Sequence, residues 1–241
     1  GRKGSLGSYY SVRDYCAVDP CLGTMEDFDA FVAEAHRLGM KVLLDWIANH
    51  TARDARWVTE KPASWYERDA SGAPAVPWDW TDTAKLNYAE REVWRAQGDA
   101  MEFWVREHGV DGFRCDMAML VPIEFWNETA QRLRRVKPDL FMLAEAEETY
   151  LFDGGAFDAC YAWEMHHLMN DVAQQRVRVT SLRDYIYADR RRYPRSAMRL
   201  AFTSNHDENS WNGSEFARMG AAREIMAVFT FVVPRGLPLI Y

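Results

Sequence analysis

Short, uninterrupted apolar runs alternate with amphipathic stretches along almost the whole chain, and this alternation restricts the fold more than any other feature. KVLLD (41–45), VDGFRC (110–115), LFMLA (140–144), FDACY (157–161), LAFTS (200–204) and PLIY (238–241) read as strands. KVLLD has the continuous apolar character of a strand buried on both faces of a parallel sheet. Helical periodicity is expected over 24–39, 91–108, 122–136, 163–175, 180–192 and 215–231. In the first of these, Thr24 and Asp27 form a capping pair, and Phe28, Phe31, Val32, Ala35 and Leu38 fall on one face.

Residues 52–87 break the pattern. They hold Gly72, Pro62, Pro74 and Pro77 with no sustained period, and they carry Trp57, Trp65, Trp78 and Trp80. Rings on such an excursion either bind a flat, weakly polar ligand such as a sugar or cap the end of the strand set. The strand count then sets the architecture. An eight-stranded (β/α) barrel needs about 250 residues, whereas this chain has 241, about 205 of them outside the excursion. The α/β fold is therefore expected to be an incomplete (β/α)8 TIM barrel, built from segments 1–51 and 88–241. With no initiator Met and an apolar strand at its end, material is expected to be missing at both termini, which would leave open strand edges prone to aggregation. A doubly wound sheet is the alternative.

Composition removes several functional classes. A net charge of −7 gives no basic face for phosphate neutralisation, so no nucleic-acid partner is expected. The lone run Arg190-Arg191-Arg192 reads as solvated. No stretch of 18 apolar residues is present, so no membrane-spanning helix is expected, and no apolar segment follows the initial Gly-Arg-Lys-Gly as a signal peptide would require. Localisation stays open. Cys115 and Cys160, inside apolar strands, are expected to be buried; spacing alone leaves the pairing of Cys16 and Cys21 open.

Chemistry gathers at the ends of the expected strands. Asp45 closes KVLLD, Asp116 follows VDGFRC, Glu145 follows LFMLA, and LAFTS runs into Asn205-His206-Asp207. In a parallel barrel those ends form one face, where active sites are built. Carboxylates brought together raise one another's pKa and repel, so the arrangement suits acid–base chemistry better than structure. Glycoside hydrolysis needs such a set, one carboxylate at the anomeric carbon and another as proton donor. Arg114 would keep Asp116 ionised, and the neighbours Leu143, Ala144 and Ala146 give Glu145 the apolar setting of a general acid.

DWIANH (45–50), GFRCDMA (112–118), AEAEE (144–148) and FTSNHDEN (202–209) resemble, in order, the four short motifs of the α-amylase family, glycoside hydrolase family 13. Residues 9–28 resemble the family segment that follows the second barrel strand, so the likeness extends over essentially the whole chain. The resemblance implies that Asp116 is the nucleophile, Glu145 the general acid/base and Asp207 the third acid, which binds sugar hydroxyls. It implies that Arg114 flanks the nucleophile, that Asp45 supports Arg114, that His50 and His206 hydrogen-bond the sugar, and that Tyr10 lies beneath it. Residues 52–87 would be a short form of the family's domain B, inserted after the third strand. The first strand, the second strand, the helix after the eighth and the C-terminal β domain would then lie outside the chain.

The implied reaction is retaining hydrolysis of α-1,4-glucosidic bonds in starch, maltodextrin or maltooligosaccharide. α-Glucosidase, transglycosylase and trehalose-forming isomerase activities of the same family, or a non-catalytic carbohydrate-binding relative, are the alternatives. No cofactor is implied as required. Family members that bind a structural calcium use the Asn matching Asn49, but Leu120 stands where their His does and a short insertion supplies few oxygens.

Overall fold

A capping box starts the first helix. In the computed structural model, which describes residues 8–241, Thr24 Oγ1 accepts from the Asp27 amide at 3.2 Å and Asp27 Oδ2 accepts from the Thr24 amide at 2.9 Å. Two orphan amides are thereby satisfied at the start of α1, Met25–Arg37. The first seven residues of the expected segment 1–51 lie outside the described residues. Only the line Phe28–Val32–Ala35 of α1 meets the core, with Val42. Phe31 and Leu38 are exposed, contrary to expectation. The predicted stripe of five residues is wider than the surface that covers it.

The described residues fall into two compact units that meet in sequence between Met142 and Leu143. The first unit continues with β1 (Leu43–Trp46), β2 (His50–Ala52), α2 (Arg56–Glu60), β3 (Thr83–Lys85), α3 (Arg91–Glu107), β4 (Gly112–Cys115), α4 (Ile123–Val136) and the start of β5 (Phe141–Ala144). β1 and β4 pair in parallel, with Leu43 opposite Gly112 and Trp46 opposite Cys115. Leu43 and Leu44 are half-buried and Asp45 is exposed, so β1 is not the fully covered strand its sequence suggests. Each expected strand shifts by one or two residues.

The excursion is more regular than its sequence implies, because β2 and β3 pair antiparallel across it. Strands of three residues are too short to show a period. The tryptophans divide. Trp65 is buried with Tyr66, Ala84, Leu86 and Val93, and Trp57 packs against it. Trp78 is 64% exposed, and its ring centroid lies 4.7 Å from that of Trp80.

Asp111 ties the base of this unit together. Its carboxylate accepts from the Val42 amide at 2.9 Å, meets His36 Nε2 at 2.7 Å, and takes Lys41 at 3.2 Å and Lys137 at 3.1 Å. Burial pushes the Asp111 pKa up, but the Val42 amide and the His36, Lys137 and Lys41 side chains outweigh it and hold the carboxyl well below its ordinary value. Asp111→Asn removes the charge these partners share, leaving Lys41 and Lys137 only the exposed Asp139, and is expected to cost about 2 kcal/mol, read as a lowered denaturation midpoint. A midpoint unchanged from wild type would contradict this reading. Next to it, Gly112 must lack a side chain, since a Cβ there would lie 2.0 Å from the Phe141 carbonyl oxygen.

The second unit runs from the last half of β5 through β6 (Ala159–Tyr161), α5 (Trp163–Ala173), α6 (Thr180–Arg192), β7 (Met198–Phe202), α7 (His206–Trp211), α8 (Glu215–Met219), α9 (Arg223–Val232) and β8 (Gly236–Leu239). β5, β6, β7 and β8 pair in parallel in that order. The single helix expected over 215–231 is two, broken at Gly220, whose φ of +52° a helix cannot continue. Met226 of α9 joins the core, while Ile225, Val228, Phe231 and Val232 are exposed.

Cys115 and Cys160 are buried as expected, and Cys16 and Cys21 are exposed free thiols. The Arg190–Arg192 run lies exposed at the end of α6, with Arg192 reaching Glu164 at 3.2 Å. Among the described residues, no helix is long and apolar enough to cross a membrane.

Candidate active site

Strand register explains how the first group of side chains assembles. Asp45 of β1 stands opposite Arg114 of β4, and Asp116 follows two residues on, so the three share one face of the ladder. The Asp116 amide donates to the Trp46 carbonyl at 2.9 Å and prolongs the pairing past β4. Arg114 Nη1 then donates to Asp45 Oδ1 at 2.7 Å and to Asp116 Oδ1 at 2.9 Å. Guanidinium and Asp116 carboxylate are buried, and Asp45 is more open. A permanent cation at this distance favours a negative carboxylate. Immediately after Asp116 the backbone leaves the strand through Met117 at φ +43°, a strained conformation for a residue with a side chain.

Tyr10 completes this group. Its hydroxyl donates to Asp45 Oδ2 at 2.8 Å, and Arg114 lies 5.8 Å from its ring centroid. Burial raises the phenol pKa, the nearby Asp45 charge adds to it, and the ring stays neutral. The Tyr10 carbonyl in turn receives His50 Nε2 at 3.1 Å, while Asn49 Nδ2 donates to His50 Nδ1 at 3.2 Å. The Tyr15 hydroxyl sits 2.7 Å from the Ile47 carbonyl and 2.9 Å from that of His50, pinning the segment after β1. The His50 ring centroid is 5.2 Å from that of Trp80.

Burial lowers the His50 pKa to about 4, against the smaller raising effects of the Tyr10 carbonyl and Asp82. Below the ordinary value of about 6.5, the unfolded chain therefore binds a proton that the folded protein refuses. Its stabilising contribution is complete above pH 6.5 and is lost as the pH falls toward 4, by about 3 kcal/mol in all. His166, also buried with a lowered pKa, adds to the same slope. Melting curves between pH 7 and 4 should be measurably flatter for His50→Gln than for wild type. Parallel curves would contradict the buried neutral imidazole.

The second unit holds the other predicted residues. Glu145 follows β5 directly and is 7% exposed, flanked by the fully buried Ala144 and Ala146. The loop beyond it is anchored, because Arg199 of β7 meets both Glu147 and Asp189, and the Tyr193 hydroxyl donates to the Glu147 carbonyl. His206 and Asp207 do not end a strand but open α7, where Asn205 Oδ1 caps the helix by accepting from the Glu208 amide at 2.7 Å. His206 Nε2 lies 3.3 Å from Asp207 Oδ2, and both side chains are about one-third exposed. Glu145 and α7 both lie beyond the C-terminal ends of parallel strands, as Asp116 does in the first unit.

Sequence reasoning missed Tyr15, Glu147, His166, Glu208 and Arg218, each of which has at least one partner more than 30 positions away in the chain. Glu208 stands inside a quoted motif but had no predicted role. Asn49, the residue matched to a calcium ligand, is buried beside His50. Its amide nitrogen donates to His50, which leaves the side-chain oxygen outside that bond, and among the described residues no three His, Cys, Asp or Glu side chains converge.

The chain matches the family model described as alpha amylase, catalytic domain, over residues 5–82 and 77–241. It superimposes over 100% of its length on 59% of a solved α-amylase from Lactobacillus plantarum, with TM-score 0.89 and 34% identity. α-Amylase MalA of Haloarcula japonica is 29% identical over 241 residues, which is 96% of this chain and 35% of that protein. α-1,4-Glucan:maltose-1-phosphate maltosyltransferase of Arcanobacterium haemolyticum is 35% identical over 154 residues, 59% of this chain and 22% of that protein. The chain spans less than two thirds of each of these three proteins. The structural match assigns the α/β fold to the (β/α)8 barrel class, of which this chain carries part, and removes the doubly wound alternative.

Proposed function

The chain belongs to the α-amylase catalytic-domain family, and from that premise we propose that the full-length protein is a retaining glycoside hydrolase. Its substrates are α-1,4-linked glucans of the starch and maltodextrin type. The observation that carries this reading is the Arg114 guanidinium shared between Asp45 and Asp116 at the ends of two paired parallel strands.

In the first half-reaction an Asp116 oxygen attacks the anomeric carbon, and the glycosidic bond breaks as Glu145 gives its proton to the departing oxygen. Arg114 holds Asp116 in place and in charge, while Asp45 and Tyr10 hold Arg114. In the second half-reaction Glu145 takes a proton from water, and the resulting hydroxide oxygen replaces Asp116 at the same carbon. Configuration is thereby retained. Asp207, His206 and His50 bind sugar hydroxyls, Tyr10 lies beneath the ring, and the exposed Trp78 with the half-buried Trp80 offers an apolar face beside His50. No metal enters these steps.

Proton NMR of the first product formed from maltoheptaose tests the proposal in the full-length protein. The α-anomer is expected, and initial formation of the β-anomer would overturn it. A second reading, transfer of the glycosyl group to a sugar hydroxyl instead of water, is favoured by the kinship with the maltosyltransferase. Products longer than maltoheptaose would support it.

A further inference from the structure

Asp207 and His206 are partly exposed, yet the residues on both sides of them are held by buried groups. Arg218 of α8, with a side chain 7% exposed, does most of the holding. Its Nη2 donates to the Thr203 carbonyl at 2.8 Å, four residues before Asp207. Its Nη1 donates to Glu208 Oε2 at 3.1 Å, the residue directly after Asp207. Its Nε donates to the Gly213 carbonyl at 3.0 Å, beyond the end of α7. One guanidinium thus spans the whole arch on which Asp207 sits.

His166 of α5 closes the arrangement from below. It is fully buried and stacked on Phe202, with ring centroids 4.6 Å apart. Its Nδ1 faces the Phe202 carbonyl at 3.1 Å, and its Nε2 lies 3.0 Å from Glu208 Oε2 and 3.3 Å from Arg218 Nη1. Asn212 Nδ2 donates to the other Glu208 oxygen at 3.2 Å. The partners named here lie at the end of β7, on the arch, or on α5 and α8. A planar fork with fixed directions suits this task, and a lysine, with one point charge, would reach only part of it.

We infer that Arg218, acting through Glu208 with His166 beneath, is a positioning residue that sets the orientation of Asp207. This rests on the role proposed above for Asp207, whose carboxylate must meet sugar hydroxyls in a distorted ring. Loss of positioning by a fraction of an ångström should then reduce turnover more than ground-state binding.

The test is a double-mutant cycle in the full-length protein, read on an activated aryl α-maltoside. Arg218→Lys is expected to lower kcat by about 10- to 100-fold with KM changed by less than about threefold. In an Asp207→Asn background the same substitution should cost less than about twofold further, because the residue it positions is already disabled. Glu208→Gln, which keeps shape and loses charge, should follow the same pattern and serves if Arg218→Lys fails to fold. Losses that multiply in the double mutant, or that appear in KM alone, would overturn the inference and leave the hydrolase reading intact. Wild-type turnover by Asp207→Asn alone would overturn the assigned role of Asp207, and this inference with it.

Discussion

Asp116→Asn is expected to lower kcat on maltooligosaccharides by on the order of 10⁴-fold or more in the full-length protein, with little change in melting temperature. The amide has nearly the same size, so the strand-end backbone and its bond to Trp46 are undisturbed. Arg114 keeps Asp45 as a charged partner at 2.7 Å, which limits the cost of losing the second carboxylate. What disappears is the negative oxygen that would form the glycosyl–enzyme bond. A neutral amide is a poor nucleophile, and neither the protein nor water replaces it on the correct face of the sugar. Steady-state kinetics with maltoheptaose beside a thermal melt of both proteins checks the prediction. Turnover close to wild type would remove Asp116 from the mechanism, while an equal loss of fold would make the defect structural.

Glu145→Gln should cost about 10²- to 10⁴-fold on natural glucans, the range expected for a missing proton donor. The defect should depend on the leaving group. An aryl glycoside whose phenolate departs without protonation should form the glycosyl–enzyme almost normally and then stall, because no base activates water. A burst of phenolate followed by a slow steady state is the expected trace. Azide, which needs no deprotonation, should restore the second step and release an α-glycosyl azide. The alkaline limb of the pH dependence of kcat/KM should also vanish. If the loss is equal for alkyl and activated aryl leaving groups and azide does nothing, Glu145 is not the acid/base.

Much of the scaffold was legible because strand and helix impose different periods on burial. The strand from Phe141 to Ala144 and the helix from Arg91 to Glu107 lie within a few residues of their predicted places. Asp45 and Asp116 were legible as carboxylates at strand ends, and support of Arg114 by Asp45 was implied only by the family resemblance; the register that carries all three onto one face belongs to the structure. Asp207 was placed on a strand end, but a cap at Asn205 starts a helix two residues earlier. The helix break at Gly220 was present as a glycine in the sequence, yet apolar periodicity on both sides of it concealed the boundary.

Local sequence determined which segments become strands and helices, where α1 is capped, and which short motifs carry carboxylates. These depend on contacts between residues a few positions apart. Tertiary structure alone decided that Trp65 is buried while Trp78 is exposed, although both sit in the same excursion. It also decided that Arg218 grips residues on both sides of Asp207 and reaches His166, 52 positions away in the chain. Burial and ion pairing depend on which surfaces meet after folding, and no local pattern encodes that meeting.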